Sequence, residues 1–445
     1  MTTVLGTAGS RDRLGAETAR TLAGAIPICY VESNEDDTIG GSYFSLLYLV
    51  KNLDPQAFRP VVVFYRPNEL VPAFEAAGAR VVILEKILPL RFGPPERPGE
   101  FLPRAAWYCR KGVQRIWNVL RVDIGMIRRI GSLLAEHGVR LVHLNSSVCL
   151  NRDWMAAARW RRIPCVTHER TPDDFRYRRQ DRWAGRHLLQ AVLCISGSIV
   201  HNMRGQGFDF RKLHEVPNGL DPAEIRVRRE RWEVLAEWGL APDTPLLVLC
   251  GNIRYWKGLH IAVEAMPAIL SRFPESRLLL AGGASSADEG YLADLNRRIG
   301  ELGLAGRVIQ VGFRRDVHDL MAAADLVLHT SILPEPFGRV ILEAMALRKP
   351  VVAAAAGGPV EIVVEGETGL LAPPGIPAAL AEAVNRLLGD PEARQAMGAA
   401  GYRRLLECYS IEANVRRTVS VYRAVLDGLP APGPNPVEVS PSRPS

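Results

Sequence analysis

The sequence predicts an α/β protein in which two Rossmann-like domains face each other across a cleft. At 445 residues the chain is longer than one ordinary hydrophobic core, so two domains are the default expectation. Short apolar runs alternate with helical sequence along both halves, which is typical of parallel sheets with crossover helices. A polar turn cluster at residues 216–221 separates the two series of strands. We therefore place the domain boundary there.

This boundary divides the chain into segments. We expect a disordered tail over residues 1–25, an N-terminal domain over 26–215, a C-terminal domain over 216–410, a last helix over 411–429 and a disordered tail over 430–445. The last of these contains too much Pro and Ser to pack against a core. The first lacks the continuous apolar stretch and cleavage pattern of a secretory signal, so we expect a cytoplasmic protein.

Composition excludes several classes of protein. Hydrophobic residues make up 47% of the chain and charged residues 23%, as in globular proteins, and no apolar run approaches the roughly 18 residues of a membrane span. The seven cysteines are scattered without a CxxC pair, which indicates reduced thiols rather than disulfides or metal ligands. Arginine is concentrated in residues 91–129 and 176–186, within a net charge of +7. These basic segments favour an anionic partner, either lipid headgroups or a phosphorylated substrate. We expect no binding to nucleic acid, because no nucleic-acid-binding motif accompanies the arginines.

The first half begins with a strand, a glycine pair and a helix. The strand at 27–32 leads to Gly40-Gly41 and then to a helix with apolar residues at helical spacing. The glycine pair is either a tight turn or part of a dinucleotide-like site, since the full GxGxxG spacing is absent. Further strands are predicted at 60–65, 80–84, 140–144, 164–168 and 191–195.

A long insertion between residues 84 and 140 is basic and rich in aromatic residues. A Pro-rich loop is followed by a predicted helix in which apolar and basic side chains interleave. Its apolar members are Trp107, Ile116, Trp117, Leu120, Ile124 and Ile127. Two interpretations stay open: a helix that lies on a membrane surface, and a helix that faces the core with a solvated basic back.

The second half repeats the pattern. Strands are predicted at 246–250, 277–281, 307–311, 325–329, 350–354 and 369–371. One helix carries the apolar stripe Ile376, Leu380, Val384 and Leu387, and the run Asp390-Pro391-Glu392 is a helix start with a cap, a proline and an acid. The last helix has Val415, Val419, Tyr422 and Leu426 on one face.

Two loops at predicted strand ends carry candidate binding chemistry. Glu335 and Glu343 lie eight positions apart around Phe337-Gly338, where a strand gives way to a helix. Ligands bind at such strand ends in open parallel sheets, and the two carboxylates could each accept bonds from a polyol; alternatively they complement the helix dipole. The other loop, GNIRYWKG at 251–258, places Arg254 and Lys257 between glycines and suits a diphosphate, although a solvated basic turn has the same pattern.

Several motifs together resemble the retaining glycosyltransferases of family 4, which have the GT-B fold. They are VPNGLD (216–221), GNIRYWKG (251–258), EPFGRVILEAMA (335–346) and PVVAAAAGGPVEIVVEGETGLL (350–371), supported in the first half by GGSYFSLL (40–47) and VTHE (166–169). The resemblance is strong over residues 210–405. It implies an acceptor-binding N-terminal domain and a nucleotide-sugar-binding C-terminal domain.

The resemblance also implies roles for individual residues. Lys257 would bind the donor diphosphate, Glu335 the sugar and Glu343 the ribose, and His168 would lie near the reacting sugar. Where the family places a basic residue this chain has Asn252, so either Arg254 substitutes or the phosphates are held with one charge less. The remaining donor contacts implied by the resemblance are Gly41, Phe313, Phe337, Gly338 and Arg339.

The implied reaction transfers a sugar with retention at the anomeric carbon, through an oxocarbenium-like state whose leaving charge is stabilised by side chains and helix ends. Because Lys257, Arg254 and helix N-termini would stabilise this charge, no cofactor or metal is expected. In agreement, no DxD motif lies at a strand end; Asp36-Asp37 and Asp173-Asp174 are loop pairs. The acceptor would be lipid-linked or a polysaccharide or glycoconjugate precursor, with peripheral contact at the inner face of the membrane as a further expectation. A nucleotide-sugar 2-epimerase and a non-catalytic sugar-nucleotide binder are the alternatives.

Overall fold

The computed structural model describes residues 24–33, 41–87, 110–171 and 175–428. Most of both predicted tails, the two Asp pairs and residues 91–109 of the basic insertion lie outside the described residues. Within them, the prediction of two α/β domains with parallel sheets is confirmed.

The N-terminal domain contains a seven-stranded parallel sheet in the order β3-β2-β1-β4-β5-β6-β7. Its strands are β1 (Ile26–Val31), β2 (Phe58–Phe64), β3 (Arg80–Ile83), β4 (Leu141–Leu144), β5 (Cys165–Glu169), β6 (Ala191–Cys194) and β7 (Leu213–Glu215). Its helices are α1 (Gly41–Lys51), α2 (Val71–Ala76), α3 (Ile124–Glu136), α4 (Arg152–Trp160), α5 (Arg179–His187) and α6 (Gly197–Gly205). The predicted strands are present with ends displaced by one or two residues, and β7 was missed because three residues are too few for a periodic pattern.

The C-terminal domain contains a six-stranded parallel sheet in the order β10-β9-β8-β11-β12-β13. Its strands are β8 (Leu246–Cys250), β9 (Arg277–Ala281), β10 (Val308–Gly312), β11 (Leu326–His329), β12 (Val351–Ala354) and β13 (Gly369–Ala372). Its helices are α7 (Arg231–Ala236), α8 (Leu259–Leu270), α9 (Glu289–Glu301), α10 (Val317–Ala323), α11 (Arg339–Ala346), α12 (Pro359–Ile362), α13 (Pro377–Leu388) and α14 (Pro391–Cys408). Asp390 caps α14 by accepting from the Ala393 amide, as predicted, whereas Ile376 precedes α13 and is exposed rather than part of its buried stripe.

The last helix, α15 (Ile411–Leu426), packs on the sheet of the N-terminal domain. Val421 and Tyr422 are buried in one apolar cluster with residues of β1, β4, β5 and β6. Two hydrogen bonds join the start of this helix to the linker at 216–221. The Leu220 amide donates to the Tyr409 carbonyl at 2.9 Å, and Asn414 Nδ2 donates to the Pro217 carbonyl at 2.6 Å. The N-terminal domain is therefore completed by the end of the chain.

A second contact between the domains involves a carboxylate at a helix start. Glu361 of α12 accepts bonds from the amides of Gly197 at 2.9 Å and Ser198 at 2.7 Å, which are the first residues of α6. Free amides at a helix start favour a negative charge. Nearby, burial and then the charge of Glu361 raise the pKa of Glu215 to about 7. The two domains thus meet through charge-assisted hydrogen bonds as well as through α15.

The helical part of the basic insertion divides into two portions. From Met126 onward α3 faces the core, with Ile130 and Leu134 fully buried. Residues 110–117 and the π-helical turn Asn118–Asp123 precede it. Four apolar side chains there are exposed, namely Val113, Ile116, Trp117 and Leu120, with Ile116 exposed by 63% and Leu120 by 60%. The core-facing interpretation is correct for α3 from Met126 onward and wrong for Ile116, Trp117, Leu120 and Ile124, which are exposed. Within the described residues no helix is long and apolar enough to cross a membrane.

Candidate active site

The candidate site lies at the carboxyl edge of the second sheet, where it faces the cleft. Strands β8 and β11 are neighbours and parallel, so the loops that follow them, at 251–258 and 330–338, leave the sheet side by side. The Thr330 hydroxyl donates to the Lys257 carbonyl at 3.0 Å, and the Ile332 amide donates to the Trp256 carbonyl at 2.9 Å. These bonds join the two predicted binding loops into one unit.

An ion pair connects the two loops at the side-chain level. Lys257 Nζ donates to Glu335 Oε2 at 2.6 Å, with the two side chains 24% and 12% exposed. Lys257 Nζ also lies 4.2 Å from the centre of the Trp256 ring, a cation–π distance. Removing one partner of a partly buried pair is costly, because the other charge is then left unpaired. The pair places an ammonium and a carboxylate in a fixed arrangement at the cleft.

Two residues that sequence reasoning missed complete the surroundings of Glu335. Ser331 Oγ donates to Glu335 Oε2 at 3.0 Å, and His329 Nε2 lies 3.5 Å from the same oxygen. Burial alone would raise the pKa of Glu335, but hydrogen bonding by His329 and the charge of Lys257 outweigh it and lower the pKa to about 2. His329 is the last residue of β11 and Ser331 follows shortly after it, so their position at a strand end could have indicated them as site residues. The carboxylate is ionised at every ordinary pH.

The glycines of these loops allow close backbone approaches. Gly258 has φ 66°, and a Cβ there would lie 2.1 Å from the Thr330 carbonyl oxygen. A Cβ on Gly282 would lie 1.9 Å from the Gly251 carbonyl oxygen. Any larger residue at either position would therefore force the strand ends apart. Glycine here fixes the spacing of the site rather than providing mobility.

The backbone of residues 335–338 packs against the glycine pair Gly357-Gly358. The Gly358 amide donates to the Glu335 carbonyl at 2.8 Å, and Cβ atoms on Gly357 or Gly358 would collide with the backbone of Glu335 or Phe337. The Phe337 side chain is buried against Tyr409, with ring centres 6.1 Å apart, so only its backbone is available to a ligand. Gly338, at φ 98°, precedes α11 and leads into the helix start that was predicted to bind phosphate.

Arg339 and Glu343 face the N-terminal domain. Arg339 donates from one amino group to the Gly41 carbonyl at 3.0 Å and from the other to Glu343 Oε1 at 3.4 Å. A Cβ on Gly41 would lie 3.3 Å from Arg339 Cδ, so the glycine permits this approach. Glu343 lies on α11 beyond its first turn and is 18% exposed as a side chain. The structure thus brings Gly41, Arg339 and Glu343 together across the cleft.

Three predicted donor contacts lie at the surface of the loops. Asn252 is exposed, and Arg254 is 46% exposed with its Nε 3.8 Å from Asp288 Oδ2. Phe313, just after β10, is 75% exposed. Its neighbour Arg314 is bound to Asp316 and Glu237, which supports the loop that carries the phenyl ring. The Lys257 amide donates to the Arg254 carbonyl at 3.0 Å, but among the described residues no side-chain hydrogen bond or ion pair links these three residues to Lys257 or Glu343.

His168 lies on the opposite side of the cleft, at the end of β5. It is 2% exposed, and burial followed by the charge of Arg170 holds its pKa well below the usual range, so the imidazole is neutral. Arg170 was not identified from the sequence. Its guanidinium donates to Asn218 Oδ1 at 2.7 Å and to Asn145 Oδ1 at 3.1 Å. These bonds attach the strand end that carries His168 to the linker between the domains.

Two family models match consecutive parts of the chain. The model described as glycosyl transferases group 1 matches residues 230–404, and the model described as glycosyltransferase family 4 matches residues 39–224. The first match contains all strands of the second sheet, the other contains all strands of the first sheet except β1, and both include residues of the candidate site. Between them they leave only the termini and a short linker unmatched.

Curated relatives include an α-D-kanosaminyltransferase of Streptomyces kanamyceticus, 27% identical over 80% of this chain and 92% of its own length. A lipopolysaccharide core mannosyltransferase of Rhizobium meliloti is 26% identical, with 80% of this chain and 92% of the relative covered. An uncharacterized glycosyltransferase of Methanocaldococcus jannaschii is 32% identical, but the match covers 48% of this chain and 55% of that protein.

Solved structures show the same fold. HepE of Anabaena, in complex with UDP and glucose, superposes with a TM-score of 0.71 at 22% identity, covering 90% of this chain and 100% of HepE. A glycosyltransferase of Rickettsia africae gives a TM-score of 0.74 at 17% identity over 90% of this chain and 99% of its own. By the two family models the chain belongs to the glycosyltransferases of group 1 and family 4, and by its structure it has the GT-B fold.

Proposed function

We propose that the protein is a retaining glycosyltransferase that moves a sugar from a nucleotide-diphosphate donor to a lipid-linked or polysaccharide or glycoconjugate-precursor acceptor. The observation that carries the proposal is the Lys257–Glu335 pair at the cleft, with Arg339 and Glu343 on the adjoining helix. HepE holds UDP and glucose, and by their names one relative transfers a kanosaminyl group and the other a mannosyl group in lipopolysaccharide core biosynthesis. These comparisons support a nucleotide sugar as donor.

The geometry of Glu335 suits a contact with the sugar. Its Oε2 atom takes the hydrogen bonds from Lys257 and Ser331, whereas Oε1 has no hydrogen-bond partner among the described residues. A carboxylate oxygen in that state can accept a hydroxyl hydrogen of a bound hexose. Because the pKa is about 2, this oxygen carries charge throughout the reaction and can stabilise an oxocarbenium-like centre.

Lys257 and the start of α11 would stabilise the leaving diphosphate. Lys257 is positioned before substrate arrives, by its bond to Glu335 and by the Trp256 ring. Charges fixed in this way need little reorganisation as the bond between sugar and phosphate breaks. We therefore propose that transfer needs no metal and no cofactor.

A nucleotide-sugar screen tests this function. Nucleotides and nucleotide sugars would be ranked by the rise in unfolding temperature, and the best donor incubated with and without acceptor, with and without EDTA. We expect stabilisation by one nucleotide series, and sugar transfer that EDTA leaves unchanged. Interconversion of the sugar without acceptor would favour a 2-epimerase instead. A strict requirement for an added divalent metal would contradict the metal-free proposal.

We also propose that the exposed stripe on residues 113–120 rests on the surface of an anionic membrane. Its apolar side chains are Val113, Ile116, Trp117 and Leu120, between 46% and 63% exposed. Basic residues flank them on the same segment, namely Arg110, Lys111, Arg115 and Arg121. Apolar insertion combined with cationic attraction is the usual requirement of a peripheral helix. A lipid-linked acceptor would then be presented next to the N-terminal domain.

Vesicle sedimentation checks this contact. The double variant Trp117→Glu/Leu120→Glu should lose most binding to vesicles containing phosphatidylglycerol, because a charge replaces each apolar contact. Trp232→Glu is the matched control, since Trp232 is 61% exposed on the other domain and should leave binding unchanged. Binding should weaken as salt is raised. Equal binding of wild type and the double variant would refute the membrane role of the stripe.

A further inference from the structure

A chain of hydrogen bonds inside the N-terminal domain ends on His168. His168 Nδ1 lies 2.8 Å from His143 Nε2, and His143 Nδ1 is hydrogen-bonded to the Tyr422 hydroxyl. That hydroxyl in turn donates to the Tyr30 oxygen at 3.4 Å. The far nitrogen of His168, Nε2, is buried and has no hydrogen-bond partner among the described residues.

Strand pairing places these groups on one face of the sheet. Tyr30 of β1 stands opposite His143 of β4, and His143 stands opposite Val166 of β5, two residues before His168. Side chains two apart on a strand share a face, so Tyr30, His143 and His168 point to the same side. α15 covers that side and supplies Tyr422. Tyr422 of the last described helix is therefore connected through His143 to His168, at the end of β5.

The hydrogen positions along the chain follow from counting donors. With the single hydroxyl hydrogen of Tyr422 directed to Tyr30, the Tyr422 oxygen accepts from His143 Nδ1–H. Both imidazoles are neutral, since burial and then the charge of Arg170 lower the pKa of His143 to about 3 and that of His168 well below its usual range. A neutral imidazole carries one N–H, so His143 Nε2 accepts from His168 Nδ1–H. His168 Nε2 then carries a lone pair.

We propose that Tyr422 is a positioning residue for sugar transfer: through His143 it holds His168 in the Nδ1–H tautomer, which leaves Nε2 as an acceptor for a hydroxyl of the donor sugar. An unpaired buried acceptor is unfavourable until a donor arrives, so a substrate hydroxyl gains the full bond. Donor sugars that lack this hydroxyl would leave the nitrogen unpaired and be rejected. The sugar contact rests on the proposed function, whereas the tautomer of His168 does not.

Nitrogen-15 NMR of the free, full-length protein tests the tautomer. In the wild type, His168 Nε2 should have the shift of an unprotonated nitrogen and Nδ1 that of a protonated one. Tyr30→Phe frees the Tyr422 hydrogen to donate to His143, so the chain should reverse and protonate His168 Nε2. Tyr422→Phe removes the acceptor of His143 and should populate both tautomers. Val421→Ala, on the same helix without a hydrogen bond, should leave the shifts unchanged.

Transfer kinetics test the positioning role of Tyr422. Tyr422→Phe should lower kcat/KM for the nucleotide sugar about tenfold, the effect of one hydrogen bond, while the affinity for the free nucleotide stays the same. A protonated Nε2 in the wild type, or His168 shifts that Tyr30→Phe and Tyr422→Phe leave unchanged, would overturn the relay. Shifted nitrogens with undiminished transfer would overturn the positioning role. Absence of transfer by the wild type would refute the proposed function alone, because the NMR result stands without it.

Discussion

Replacing Lys257 by Ala should lower the rate of sugar transfer by about a hundred- to a thousand-fold, as expected for the loss of one preorganised charge at a leaving group. The ammonium is held at 2.6 Å from Glu335 before substrate binds, so the wild type needs no rearrangement to receive the diphosphate. Single-turnover transfer rates with a saturating donor would measure the effect. Wild-type turnover in the folded variant would remove Lys257 from the mechanism.

The same substitution should also reduce stability, and the sign can be worked out. Glu335 has a folded pKa of about 2, below its ordinary value of 4.5, so its ionisation stabilises the fold above about pH 4.5 and this contribution disappears as the pH falls through 2. Removing Lys257 takes away one of the causes that lower this pKa, so the pKa rises and part of the contribution is lost, while the hydrogen bond with His329 still lowers the pKa. The double variant Lys257→Ala/Glu335→Gln should regain stability but not transfer.

Lys51→Ala provides a matched control for both measurements. Lys51 forms an ion pair with Glu224 and is 38% exposed as a side chain, outside the candidate site. Its removal should change the transfer rate less than twofold and the unfolding temperature only slightly. An equal loss of transfer in the two single variants would mean that the effect of Lys257→Ala is not specific to the site.

Glu343→Ala should weaken binding of the free nucleotide about ten- to a hundredfold, because a ribose diol would lose two hydrogen bonds to a carboxylate. Glu335→Gln should behave differently, with the chemical step slowed about a hundredfold and nucleotide affinity nearly unchanged, because its contact is made to the sugar. Calorimetric titration of nucleotide beside single-turnover rates separates the two effects.

The contacts of Arg339 require a further variant. Arg339 binds both Glu343 and the Gly41 carbonyl, so Glu343→Ala also removes one partner of that arginine. Arg339→Ala should weaken nucleotide binding less than Glu343→Ala if the carboxylate itself holds the ribose. Glu382→Ala, at an exposed position of α13, should change neither quantity. Wild-type nucleotide affinity in Glu343→Ala would refute the ribose assignment.

Most strands and helices could be predicted closely because each is specified by a short, continuous stretch of sequence. Parallel strands such as Leu246–Cys250 are continuous apolar runs bounded by polar residues, and the cap at Asp390 is contained within four residues. β7 was not predicted because it has only three residues. The packing of α15 on the first sheet was not predicted either, because an apolar helix face does not show which surface it packs against.

The site could be predicted only in part, because its contacts join distant positions. Lys257 and Glu335 were each identified by the character of their loops, but their pairing spans 78 positions and depends on β8 and β11 being neighbours. His329 and Ser331 were not identified because they precede the motif at 335–346. Arg170 was not identified although it follows β5, the strand that carries His168. The roles of these residues toward a donor remain predictions.

The packing of α15 has a consequence for how the protein is made. Tyr422 follows its partner His143 by 279 positions, so at roughly 5–20 residues per second a ribosome needs on the order of a quarter of a minute to a minute to add it. During that interval the nascent first sheet lacks the cover for one apolar face, including Ile28 and Leu141. The second domain emerges meanwhile and can fold with its own strands. The first domain therefore cannot complete its core until α15 has been synthesised, and until then it exposes the kind of apolar surface that chaperones bind.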